Sequence, residues 1–172
     1  MFFKIAGFEY RYQLRQPIFW ISVAIFSLLP FALIASDFVS FGSTDNVHKN
    51  SAYVIALASQ LFGTIYMFVA PAVVGNVILR DDETGFGAIL RSTPVRKFDY
   101  LYGRFAGAFL ALMTSFLSVS IGLALGSVMP WVDKETLGPF IAGNYLYGYF
   151  VLALPVIFLT SAIFFTLTTV TR

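Results

Sequence analysis

The chain has 172 residues, 58% of them hydrophobic and 12% charged, where a soluble domain averages about 45–50% apolar and about 25% charged. That balance excludes an ordinary soluble fold, and a net charge of +2 gives no electrostatic ground for a nucleic-acid partner or an acidic substrate. Without cysteine there is neither a disulfide framework nor a thiolate metal site.

The N-terminal segment mixes Phe2, Phe3, Ile5, Phe8, Tyr10, Tyr12 and Leu14 with Lys4, Glu9, Arg11 and Arg15. This pattern predicts a helix over 1–16 lying in the headgroup region, held to anionic lipid by its basic side chains, before the chain turns inward at Pro17.

Beyond it the charges are placed so as to leave four uncharged runs: Gln16 to Ser36, Asn50 to Leu79, Phe105 to Val132 and Thr136 to Thr171. Each is long enough for the roughly 20 residues that carry a helix across a hydrocarbon core of about 30 Å. The runs are continuously apolar, as in Ile18 to Ile34, which disagrees with the alternation of a membrane barrel. The expected fold is an all-α bundle of four transmembrane helices, with spans over 17–36, 52–79, 103–128 and 143–171 and a long loop over 80–102. A cleaved signal peptide fits the first run poorly: Glu9 precedes it, and Leu33 stands two residues before Ala35, where a cleavage site wants a small residue.

Lys4, Arg11, Arg15, Arg80, Arg91, Arg96, Lys97, Arg104 and Arg172 fall on one side of this arrangement, and only Lys49 and Lys134 on the other. Nine basic residues against two place both termini and the central loop in the cytoplasm. Phe19 and Trp20, and Trp131, Tyr145, Tyr147 and Tyr149, read as interface belts at the span ends. Pro30, Pro71 and Pro155 fall inside spans one, two and four, where each removes a backbone donor; they either bend the helix or are absorbed by neighbouring helices.

In span three, small residues recur at Gly103, Gly107, Ala111, Ser115, Ser118, Gly122 and Gly126, all within about 140° of one helix face. Such a stripe lets another backbone approach closely, either from this chain or from a second copy. Phe105, Phe109, Leu112, Phe116 and Leu123 stand opposite and are expected to face lipid.

The loop between spans two and three is the most specific stretch. Asp81, Asp82 and Glu83 suit the start of a short helix by charge, Ala88, Ile89 and Leu90 give it an apolar patch, and Thr93-Pro94 forms a cap and first turn for a following helix. An apolar patch between charged ends suits insertion into a cleft of a soluble partner.

In Glu83-x-Gly85, Ile89-Leu90, Ser92-Thr93-Pro94-Val95 and Tyr100-Leu101-Tyr102-Gly103-Arg104 the chain resembles the permease subunits of ABC-2 type transporters, and in particular the bacterial members sometimes fused to an M1-type aminopeptidase. The N-terminal Phe8 to Pro17 is similar to the connecting helix of that family. The resemblance implies a multi-pass protein of the bacterial inner membrane working as an exporter, with a separate ATP-hydrolysing subunit and a second permease protomer as partners. It makes the loop a coupling helix, with Glu83, Gly85, Ile89, Leu90, Arg91, Thr93 and Pro94 as docking residues. It also implies six spans per unit, so this four-span chain is expected to be an incomplete permease unit. Gly87 and Ala88 depart from the family's usual Leu and acid.

No catalytic, metal or cofactor-binding residue is expected in this chain. Its one histidine, His48, falls in an outer loop, and there is no Gly-x-x-x-x-Gly-Lys-Ser/Thr loop for phosphates, so ATP is expected on the partner subunit. Gln60, Thr64, Asn76, Asn144 and Thr160 either line a pathway or bond between helices. An ion-coupled carrier or a non-transporting scaffold are the alternatives, the former weakened by the absence of charge within the uncharged runs.

Overall fold

The computed structural model describes residues 1–36, 47–83 and 96–171. Among them are only helices: α1 (Phe2–Leu14), α2 (Pro17–Ala35), α3 (Ala52–Tyr66), α4 (Val69–Glu83), α5 (Lys97–Ser127), α6 (Ala142–Tyr147), a π-helical turn (Gly148–Ala153) and α7 (Leu154–Val170). Four helical stretches are long and apolar enough to cross a membrane: Pro17–Ala35, Ala52–Ile78, Lys97–Ser127 and Ala142–Val170. The protein is an all-α polytopic membrane protein.

Helix α5 is the centre of the bundle and packs most extensively on α2 and α1. Its small residues explain why. Gly103 receives Phe2 and Ile5, and Gly107 receives Ala6 and Glu9. Further along, Ser115 shares a 2.8 Å hydrogen bond with Ser22, Gly122 abuts the Ser27 carbonyl, and Gly126 meets Phe31 and Ile34. Partner numbers rise with α5 numbers, so α1 and α2 both run alongside α5 in its own direction. A Cβ at Gly107 would lie 2.5 Å from the Ala6 carbonyl oxygen, too close for any L side chain without moving a backbone. Ala111 and Ser118 are buried on the same helix.

The opposite side of α5 departs from expectation. Leu112, Phe116 and Leu123, expected to face lipid, are buried in the core, where Phe116 sits edge-on to Tyr66 and stacks near Tyr149. Phe105 and Phe109 pack against Phe158. A central helix is covered on more than one side: α1 and α2 take the small-residue face and the other spans take the bulky one. Leu110, Leu117, Ile121 and Leu125 form the exposed third side.

α1 forms as a helix, but its inner stripe is the polar one. Ala6, Glu9 and Gln13 are buried at helical spacing, while Phe3 and Phe8 point outward, as suits a helix bordered by lipid.

The three span prolines behave differently. Pro30 is absorbed within a continuous α2. Span two breaks between α3 and α4 at Met67–Phe68; Pro71 lacks the N–H that would reach the Met67 carbonyl four residues back. Pro155 likewise leaves the Val151 carbonyl without its α-helical donor, and the chain widens into the π-helical turn around it. Of the aromatic residues expected at the interfaces, Trp20, Trp131 and Tyr147 are exposed, but Phe19, Tyr145 and Tyr149 are buried. The Tyr145 hydroxyl bonds Ser127 at 2.7 Å and that of Tyr149 donates to the Met113 carbonyl at 2.8 Å. These tyrosines face the bundle because each has a buried oxygen partner there.

At the end away from α1, buried Asn50 joins the connection before α3 to the one after α5. Its side-chain amide donates to the Gly138 carbonyl and its Oδ1 accepts from the Gly138 N–H, both at 2.7 Å. His48 is exposed beside them.

Candidate functional site

The bundle's buried charges gather where α1, the end of α4 and the start of α5 meet. Glu9 is wholly buried. Its Oε2 accepts from Arg80 Nη2 at 2.7 Å and from Arg104 Nη1 at 2.8 Å, while its Oε1 accepts from Gln13 Nε2 at 3.0 Å. Both guanidiniums also lie against aromatic rings: Arg80 Cζ is 3.8 Å from the centre of the Tyr12 ring, and Arg104 donates to the Tyr100 hydroxyl at 2.9 Å. One carboxylate thus bridges two cations, and the cluster of three carries a net charge of +1.

Local sequence explains the geometry. Glu9 and Gln13 are one helical turn apart and share a face with Ala6, so the carboxylate arrives with its own amide donor. Arg104 lies between Gly103 and Gly107, the two positions that admit the α1 backbone, so the glycines bring Glu9 within reach of the guanidinium. Arg80 enters from the last turns of α4, where a cation also favours the helix C-terminus. A bridging carboxylate of this kind helps to offset the desolvation of both arginines, and its removal takes one counter-charge from each.

Arg80 stands in the last turn of α4 and Arg104 two turns into α5, so Glu9 ties the two helices that flank the long loop to α1. Sequence reasoning missed this cluster. It used the arginines for orientation and Arg104 for the family resemblance, and Glu9 as part of an interfacial helix, without bringing the three together. The available signal was the turn spacing of Ala6, Glu9 and Gln13, which marks one face of α1 as small and polar. Of the expected docking residues, Glu83 closes α4, and Gly85, Ile89, Leu90, Arg91, Thr93 and Pro94 lie outside the described residues. Among the polar span residues, Thr160 is buried and donates to its own helix at the Val156 carbonyl, Asn144 is half-buried, and Gln60, Thr64 and Asn76 are exposed on the outer surface of span two.

Four membrane-length helices with a charged cluster at the root of one loop define the class: a multi-pass α-helical membrane protein. A family model described as "ABC-2 family transporter protein" matches residues 13–172, and the chain belongs to that family. It is a membrane component of an ABC transporter. No curated protein and no solved structure shows a significant match to the chain.

Proposed function

We propose that this chain is a permease subunit of an ABC exporter in a bacterial inner membrane, with the 80–102 loop in the cytoplasm as the element that couples it to a separate ATP-hydrolysing subunit. The observation that carries this reading is the Glu9 bridge between Arg80 and Arg104. Because the helices that flank the loop share one buried carboxylate, a displacement of the loop is passed to α1, α4 and α5 together. The division of basic residues supports the cytoplasmic assignment. Gln60 and Asn76, amides exposed on a membrane span, need polar partners within hydrocarbon, which supports assembly with a second permease protomer.

On this reading Ile89 and Leu90 are the apolar anchors of docking, with Glu83 and Arg91 setting orientation at the rim. The test is co-purification of the ATPase with the permease and substrate-stimulated ATP turnover in the reconstituted complex. An Ile89→Asp, Leu90→Asp double variant loses both, and Lys49→Asp, on the far side, loses neither. Retention of partner and turnover by the double variant refutes the coupling assignment, and solute or ion flux independent of ATP replaces the exporter with a carrier.

A further inference from the structure

An open groove of about 550 Å³ runs between the start of α5 and the end of α7. Phe98, Leu101 and Phe105 form one wall and Phe158, Ala162 and Phe165 the other. The residues along α7, from Phe158 to Val170, cover roughly 18 Å at the α-helical rise, close to the ~15 Å of one hydrocarbon leaflet. The threonine hydroxyls in the wall are already used: Thr166 and Thr169 donate to the Ala162 and Phe165 carbonyls at 2.7 Å each, while Tyr102 brings a phenol to the same lining. Apart from that one phenol, the wall offers contact to an apolar occupant.

The mouth is different. Arg96 and Lys97 immediately precede Phe98, and both are exposed. The acid of this turn, Asp99, faces the Met1 ammonium at 3.9 Å, and among the described residues Arg96 and Lys97 have no carboxylate partner. Two exposed cations thus stand one and two residues before Phe98, the first lining residue of an apolar groove of leaflet depth.

We propose that this groove seats an acyl chain of an anionic phospholipid from the leaflet on the basic side, with its headgroup phosphate held by Arg96 and Lys97. The site asks for a long hydrocarbon and a negative head together, so zwitterionic lipid fills the groove with lower occupancy. A basic pocket between membrane helices is the usual means of such selection.

The test reconstitutes the full chain in phosphatidylcholine vesicles containing a trace of diazirine-acyl phosphatidylglycerol or, separately, the matching phosphatidylcholine probe, followed by photolysis and peptide mapping. The expected result is labelling concentrated at Phe158 to Phe165 and stronger for the anionic probe, by about fivefold for each cation that contributes. Arg96→Gln with Lys97→Gln abolishes that preference while leaving apolar labelling in place. Ala162→Phe, which fills the groove, lowers labelling by both probes, and a matched Leu117→Phe on the other exposed side of α5 does not. Equal labelling by the two probes in the native chain overturns the headgroup assignment. Labelling indifferent to Ala162→Phe overturns the groove, as does a photoreactive residue at position 105 that captures polypeptide, a second copy included, in place of lipid.

Discussion

The Glu9 carboxylate and the Arg104 guanidinium meet 2.8 Å apart across a sequence separation of 95 residues, both buried. The same carboxylate oxygen holds Arg80, so Glu9→Gln removes the charge that both guanidiniums share. The expected cost is about 3–5 kcal/mol, seen as a lower midpoint in thermal unfolding of the purified protein by size-exclusion chromatography. Arg104→Gln should cost more than Arg80→Gln, because Arg104 is the more deeply buried of the two, at 8% against 15% side-chain exposure. Glu9→Asp keeps the charge at shorter reach and should fall between native and Glu9→Gln. Equal stability of native and Glu9→Gln proteins would show that the cluster contributes nothing to the fold.

Around α5 the structure ranks substitutions by side. Gly107→Leu and Gly122→Leu drive a side chain into the carbonyls of Ala6 and Ser27 and should abolish accumulation of folded protein in membranes. Phe116→Ala empties a wholly buried site and should cost about 3–5 kcal/mol. Leu117→Ala, next along the chain but exposed, should change the unfolding midpoint little.

The division of nine basic residues against two predicts that reporter fusions after Ala88 give a cytoplasmic signal, and that those after Asp45 and Glu135 give an external one. The opposite pattern would reverse the bundle and remove the loop from the reach of a cytoplasmic ATPase.

Asn50 closes a two-bond clasp with the backbone of Gly138. Asn50→Ala leaves the Gly138 N–H and carbonyl without that partner, at a cost of about 1–3 kcal/mol. The measurement is limited proteolysis of the 129–142 connection, expected to quicken in Asn50→Ala and to be unchanged in the exposed control His48→Ala.

The spans were legible in the sequence because hydrocarbon imposes a length and an absence of charge that composition displays directly, as in Ile18 to Ile34. The family was legible through the stretch from Glu83 to Arg104. The charged cluster was not, since Glu9, Arg80 and Arg104 are brought together only by the glycines at 103 and 107, and a hydropathy pattern carries no information about which helix those glycines receive. The burial of Leu112 and Phe116 was missed for a related reason: periodicity separates a small side from a bulky one but does not count how many neighbours a helix has. Tyr145 and Tyr149 lie near a span end in sequence, and only the positions of Ser127 and the Met113 carbonyl turn them inward.

The π-helical turn before Pro155 holds one residue more than an α-helical path through the same length. Along an ordinary span, loss of a single residue rotates everything beyond it by about 100° and would turn Ile157 and Ser161 out of the interior, where both are buried. Within Gly148 to Ala153 the same deletion only tightens the wide turn and keeps both halves of the helix facing as they do. Span four therefore has one stretch where a codon can be lost without scrambling its faces, and length variation among related chains should collect there.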